Sequence, residues 1–294
     1  MSKKIMILGS SGLLGSTLQD FFRKNELNIY CHARNGRTPY YADLSKESEV
    51  LEMLRSINPD VVINLAGLTN VDYCQEYPQD AYLSNVKIIE NMKEYFAIDN
   101  PNSHLIHIST DHMYDSPIPS KINELNIKNF YAFSKYAGEL AAMSLKNVSI
   151  LRTNFFGLSL TSARSSFTDW VYESAKNKND IAVFQDIKFS PLSMRTLAKY
   201  INMIIEKGPI GLANLGSREG MSKADFAYFF VNQVGLDCAF MTKVNAADAH
   251  VSKIPRPFDM RMDSTPFEQI FNIQLPTLKK EIICIAEEYY EKAK

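Results

Sequence analysis

Neither sign of charge dominates this chain of 294 residues: 32 Lys and Arg stand against 33 Asp and Glu, a net charge of −1. That excludes a basic protein built to hold nucleic acid, and it gives no pull toward an anionic membrane surface. Cysteines are few. Cys31, Cys74, Cys238 and Cys284 contain no CxxC pair, so neither a disulfide framework nor a zinc ribbon is expected. The 5 histidines form no HExxH and no cluster with cysteine, so no metal site is expected. No apolar run reaches the ~18 residues of a membrane span. The apolar run after Ser2-Lys3-Lys4 is too short and strand-like for a signal peptide, which points to a cytoplasmic protein. With 12 Gly and 12 Pro there is no low-complexity composition, and no linker separates independent domains.

What is present is an alternation of short apolar runs with longer amphipathic ones. Strands are predicted at Lys4 to Leu8, Asn28 to Ala33, Val61 to Leu65, Leu105 to Ser109 and Val148 to Arg152. Helices are predicted at Leu13 to Phe22, Glu47 to Ile57, Asp80 to Phe96 and Tyr131 to Leu145. Alternating strands and helices imply βαβ units on a parallel sheet, and strands apolar along their whole length imply a sheet covered on both faces. After Asn154 the rhythm changes to aromatic-rich helices and proline-punctuated loops. The predicted organisation is a dinucleotide-binding domain over 1–153 plus about 186–217, and a discontinuous substrate-binding lobe over about 154–185 plus 218–294. The fold class is α/β, a Rossmann-type doubly wound parallel sheet with a smaller α/β lobe.

Three motifs carry chemistry. The first, Gly9-Ser10-Ser11-Gly12-Leu13-Leu14-Gly15, follows the first strand and opens the first helix. Gly9 suits a tight turn, Gly12 a close approach of backbone to a pyrophosphate, and Gly15 close packing of helix on sheet. The N–H groups of Ser11 to Leu14 would meet the pyrophosphate at the helix start. The second lies at the end of strand two, where no carboxylate follows His32 and Arg34 stands instead. A guanidinium grips a 2′-phosphate that a carboxylate would repel, so NADPH is expected, with NADH as the alternative. Asp43 and Leu44 follow and could meet the adenine, Asp43 equally suiting a helix cap. The third is Tyr131-Ala132-Phe133-Ser134-Lys135, in which Tyr131 and Lys135 share a helix face. An ammonium beside a phenol favours the phenolate and suits the pair for proton transfer. Thr110, at the end of strand four, lies where such folds place site residues.

Glycine turn, strand-end threonine and YxxxK in this order resemble the extended short-chain dehydrogenase/reductases. Further stretches are similar to the dTDP-4-dehydrorhamnose reductase family: Asn64 to Asp72 with Glu76 and Pro78, HISTDHMYD at His107 to Asp115, LRTNFFG at Leu151 to Gly157, and RPFDMRMDST at Arg256 to Thr265. The resemblance implies an NADPH-dependent reductase that delivers hydride to C4 of a nucleotide-linked 4-keto-6-deoxy sugar, serving surface polysaccharide synthesis. It implies Tyr131 as proton donor, Lys135 as holder of the nicotinamide ribose, and Thr110 as hydrogen-bond partner of the substrate oxygen. It implies Ala66 and Gly67 in the cofactor pocket, with Asn85 supporting the lysine through water. Thr69, Val71, Asp111, Asn154, Phe155 and Arg256 fall at substrate positions, Phe155 against the hexose or in the core between lobes, and Arg256 near the diphosphate. The family's Gln and Glu around the last glycine are replaced by Leu13-Leu14 and Ser16-Thr17, so a homodimer here would lack a metal bridge.

Two other readings share the scaffold. A dehydratase wants an Asp-Glu pair after the threonine, but His112 follows Asp111; a 4-epimerase stays open. A non-catalytic cofactor-binding regulatory subunit has no need of the set Thr110, Tyr131 and Lys135.

Overall fold

The computed structural model describes residues 2–33, 40–162, 164–248 and 254–293, so Arg34 lies outside the described residues. The chain runs β1 (Lys4–Leu8), α1 (Leu13–Lys24), β2 (Asn28–His32), α2 (Glu47–Ile57), β3 (Val61–Asn64), α3 (Val71–Glu76), α4 (Pro78–Tyr82), α5 (Ile88–Glu90), β4 (His104–Ile108), α6 (Phe130–Met143) and β5 (Val148–Thr153). It continues with β6 (Phe155–Phe156), α7 (Phe167–Lys176), β7 (Ile181–Phe184), β8 (Lys188–Phe189), β9 (Leu192–Ser193), α8 (Met194–Lys207), β10 (Gly211–Leu215), β11 (Met221–Ser222), α9 (Lys223–Gln233), β12 (Met241–Val244), α10 (Thr265–Phe271) and α11 (Leu278–Ala293). Among the described residues no helix is long and apolar enough to cross a membrane.

The chain divides into two compact units. Unit 1 comprises Met1–Thr110, Lys128–Arg152 and Ala198–Ala213; unit 2 comprises Asp111–Ile127, Thr153–Leu197 and Asn214–Lys294. The segments 111–127 and 186–197, which the sequence places with the nucleotide-binding part, belong to unit 2. Backbone pairing explains this. Ser116 and Ser120 N–H donate to the carbonyls of Asp259 and Arg261, β8 pairs with β11, and β9 pairs with β6.

Unit 1 is built on a six-stranded sheet in the order β10-β5-β4-β3-β1-β2. The β1–β2, β1–β3, β3–β4 and β4–β5 pairs are parallel. Every residue of β3 and β4 is buried, the polar Asn64, His104 and His107 included, as interior strands of a sheet covered on both faces require. Because β1 has β2 on one side and β3 on the other, the strand order reverses at its C-terminal end, where doubly wound sheets bind ligands. The core packs Met6, Leu8, Val50, Leu54, Ile89, Met92, Leu105 and Ile150.

The segment predicted as one helix from Asp80 to Phe96 is instead α4 and α5 joined through a π-helical turn at Leu83–Lys87, with a second π-helical turn at Tyr95–Asp99. The 3.6-residue period that predicts one continuous helix does not anticipate i→i+5 turns.

Unit 2 gathers α7, α9 and α11 around Phe226, whose ring meets those of Phe156, Phe167 and Phe189 at centroid distances of 4.8, 5.5 and 5.5 Å. Ser166 and Asp169 form a reciprocal capping box at the start of α7, and Ser222 caps α9 by accepting from the Asp225 N–H.

Candidate active site

The glycine turn shows which of its glycines the fold itself demands. Gly9 has φ +77°, and a Cβ there would lie 2.9 Å from the Ala66 nitrogen. A Cβ on Gly15 would lie within 2.7 Å of main-chain atoms of Gly9 and Ser10. Gly15 therefore packs α1 against the turn rather than against the sheet. Gly12 differs, since a Cβ there would meet only the Gly9 carbonyl, at 3.4 Å. The protein's own packing leaves room at Gly12, in a cradle that such a Cβ would fill. Gly12 is also the N-cap of α1, with no side-chain cap and no acidic residue in the first turn. The leading N–H groups of a helix have no partner within it, and here they suit an anion. Ser11 is exposed at the turn, Leu13 is half-buried, and the Leu14 side chain is buried, so Leu14 can offer a ligand only its main chain. The turn fits the pyrophosphate of a dinucleotide.

At the end of β2 the His32 ring bonds the Ala42 carbonyl through Nε2 at 2.9 Å. Asp43 shapes the turn before α2: its Oδ1 accepts from the Ser45 N–H and hydroxyl, and Lys46 rather than Asp43 is the N-cap. The Leu44 side chain lies in the unit 1 core, and its carbonyl accepts from the Asn91 amide.

The loop after β3 is held by two side-chain amides, those of Asn64 and Asn85. Asn64 Oδ1 accepts from the Ala66 N–H at 3.1 Å, so its Nδ2 is the group that donates to His107 Nδ1, also at 3.1 Å. Burial, then the nearby Lys135 ammonium, holds the pKa of His107 well below the usual imidazole value. Asn85, in the first π-helical turn, accepts from the Leu68 N–H at 2.8 Å and donates to the Leu68 carbonyl at 3.0 Å and the Ser134 hydroxyl at 2.8 Å. Its amide thus secures the Gly67–Leu68 loop and α6. A Cβ on Gly67 would lie 2.8 Å from Asn85 Oδ1 and 3.9 Å from Lys135 Nζ, which brings Gly67, Asn85 and Lys135 together. Thr69 is exposed, and Val71 is buried at the start of α3.

α6 begins with Asn129 as its cap and carries Tyr131 and Lys135 one turn apart, 7% and 5% exposed. Lys135 Nζ donates to the Ile108 carbonyl at 2.7 Å, two residues before the buried Thr110. Burial pulls the lysine pKa down to about 8 against the opposing pull of the Glu139 carboxylate. Of the ammonium's three donors, one is spent on the main chain.

The remaining positions that the resemblance assigns to the substrate lie in unit 2. The Asp111 carboxylate is buried and accepts from Asn154 Nδ2 at 2.7 Å. Phe155 is half-buried in β6, whereas its neighbour Phe156 fills the unit 2 core. Arg256 is exposed. Burial, Lys223 and Arg256 push His112 down to about 3, so it stays neutral at working pH.

Ser109 and Arg152 lie inside quoted motifs but were given no role, and Glu139 lies outside them; the three form a buried network beside Thr110. The available signal was charge out of place: Glu139 in a largely apolar helix and Arg152 in an apolar strand.

From residue 3 to residue 291 the chain matches the family model described as RmlD substrate binding domain. It is similar to the dTDP-4-dehydrorhamnose reductase of Escherichia coli strain K12, 27% identical over 289 residues that cover 92% of this chain and 93% of that protein. It is likewise similar to the dTDP-4-dehydrorhamnose reductase of Aggregatibacter actinomycetemcomitans, 26% identical over 293 residues, with coverage of 92% and 94%. In fold it resembles the dTDP-4-dehydrorhamnose reductase of Bacillus anthracis solved in complex with NADP, with a TM-score of 0.88, 22% identity, and coverage of 98% of this chain and 100% of that one. A match that spans nearly the whole chain places it in a family: this protein belongs to the RmlD substrate binding domain family.

Proposed function

We propose that this protein reduces the C4 keto group of a nucleotide-linked 4-keto-6-deoxy sugar with NADPH, in the synthesis of a deoxysugar for a surface polysaccharide. The observation that carries the reading is the seat of Lys135. Its ammonium sits on the Ile108 carbonyl, on the helix face of Tyr131, two residues from Thr110 and beside Gly67. The relatives' names support the substrate class. The cofactor, when bound, supplies hydride to C4 of the sugar.

The chain's own residues do the rest. The first turn of α1 and Gly12 hold the pyrophosphate, and Arg34 grips the 2′-phosphate. Lys135 spends its remaining donors on the nicotinamide ribose, and its charge lowers the pKa of Tyr131. The Tyr131 phenol gives its proton to the developing C4 oxygen, which the Thr110 hydroxyl holds by a hydrogen bond. Unit 1 is the dinucleotide-binding part, and unit 2 supplies the substrate residues Asp111, Asn154, Phe155 and Arg256. The protein acts in the cytoplasm, and any homodimer forms without a metal bridge, because no carboxylate flanks Gly15.

A panel of nucleotide-linked 4-keto sugars incubated with NADPH tests this, read as loss of the reduced-nicotinamide absorbance band. Substrate-dependent loss is expected with a 4-keto-6-deoxy member. NADPH that binds but is not oxidised by any of them would overturn the enzyme reading in favour of a regulatory subunit.

A further inference from the structure

α6 carries two charged residues, Lys135 and Glu139, and both are buried. They hold successive residues at the end of β4. Lys135 Nζ donates to the Ile108 carbonyl at 2.7 Å, and Glu139 Oε1 accepts from the Ser109 hydroxyl at 2.5 Å. Thr110 is the next residue. The Ser109 N–H in turn donates to the Leu151 carbonyl at 2.7 Å. Arg152, one residue along β5, closes the group: its Nε donates to the Glu139 oxygens at 2.9 and 3.1 Å, and its second terminal nitrogen to Oε2 at 2.6 Å. The pair is fully enclosed, 0% and 1% exposed. A well-packed apolar pair of similar volume stabilises a helix–strand contact as well or better, so stability alone gives little reason for charges here.

We infer that Glu139 and Arg152 are positioning residues for the reduction: through Ser109 they fix Thr110, and the Glu139 carboxylate keeps Lys135 charged inside a dry site. This rests on the functional reading above and adds residues to it. The groups facing Lys135 support it. Tyr131 shares its helix, Cys74 approaches from α3, and His107 from β4. The Cys74 thiol is pushed up to about 11 by burial and His107 is held neutral, so neither carries charge near neutral pH. Glu139 is then the negative charge that acts on the lysine among the described residues. Without it, burial would strip the ammonium of its proton closer to working pH.

The test compares wild type with Glu139→Gln/Arg152→Met, which removes both charges together. Glu139→Gln alone strands a buried guanidinium and destabilises the fold. Lys135 is titrated directly in the cofactor-free protein by NMR of carbon-labelled lysine, assigned with Lys135→Met. In the double variant the melting temperature should stay near wild type. The Lys135 titration should move from about 8 downward by about 1 pH unit, and the alkaline limb of kcat/KM should follow it. An unchanged titration and pH profile in a folded double variant would overturn the electrostatic half. Ser109→Ala leaves both charges in place. It should lower kcat roughly tenfold, the size of one lost hydrogen bond, with both KM values and the Lys135 titration unmoved. Wild-type kcat in this variant would overturn the positioning half, and it decides that point even if the double variant fails to fold. The NMR titration needs no substrate, so a wild-type protein that reduces no sugar nucleotide overturns the functional reading and leaves the Lys135 result to be judged separately.

Discussion

At the scale of single residues the proposed chemistry turns on a phenol that must give up its proton near neutral pH. Tyr131 is buried on α6 one turn before Lys135, whose ammonium is anchored to main chain rather than free to wander. Tyr131→Phe keeps the ring and removes only the hydroxyl. It should leave NADPH affinity near wild type, measured by fluorescence titration, while kcat falls by roughly 10²-fold or more, the usual size for a positioned general acid. Turnover within a few-fold of wild type would remove Tyr131 from the mechanism. The half-buried setting of Phe155, beside a fully buried Phe156, separates two roles that adjacent identical residues hide. Phe156 holds the unit 2 core, and Phe155 keeps part of its surface exposed, as the proposed sugar contact requires.

At the scale of elements the β1–turn–α1 unit divides its glycines between folding and binding. Any side chain at Gly15 collides with the carbonyls of Gly9 and Ser10, which cannot yield without moving the turn. Gly12 faces no such collision. Gly15→Ala should therefore lower the melting temperature by several degrees, since about 1 kcal/mol already shifts a domain of 150 to 250 residues by ~2–4 °C. Gly12→Ala should melt near wild type yet raise the KM for NADPH roughly tenfold, a loss of about 1.4 kcal/mol in binding. Equal melting losses in the two variants would show that Gly12 is also structural. The π-helical turn at Leu83–Lys87 works in the same local way. It carries Asn85, whose amide brackets Leu68 and reaches Ser134, while the Asn85 carbonyl comes so close to Gly138 that no side chain fits there.

At the scale of the whole molecule, acid is the condition to which the fold is most exposed. Burial lowers His104 to about 4, His107 well below its ordinary value, and His112 to about 3. In the unfolded chain these rings take up protons near pH 6.5. Below that pH the unfolded state binds more protons than the folded one, so stability is full above about 6.5 and is lost as pH falls toward the folded values. Each histidine contributes up to about 1.4 kcal/mol per pH unit in that window. Urea unfolding at pH 7.5 and 5.5, where carboxylates remain ionised, should show a loss of a few kcal/mol. A flat stability across the interval would mean that the rings titrate while the protein is folded.

Much of the binding half of the site was legible in the order of residues, because its requirements are local. A strand-forming run, a glycine able to take positive φ and a helix start lie within twelve residues, from Lys4 to Gly15, and an i, i+4 spacing is enough to align Tyr131 with Lys135. The partners of the buried polar groups were not legible. Glu139 meets Arg152 from a helix to a strand, Asn85 reaches a serine 49 positions away, and Asn64 meets a histidine 43 positions away. Nothing in the neighbouring residues specifies such meetings, since they depend on which strand the sheet sets beside which. The allegiance of 111–127 was hidden for the same reason: its backbone pairs with 259–261, more than a hundred residues on. Local propensity is settled by near neighbours along the chain, and so the sequence by itself determined the alternation of elements and the glycine turn. The satisfaction of buried charge is settled by neighbours in space, and only the tertiary structure decided that Glu139, one turn beyond Lys135, is buried and held by a buried arginine from β5.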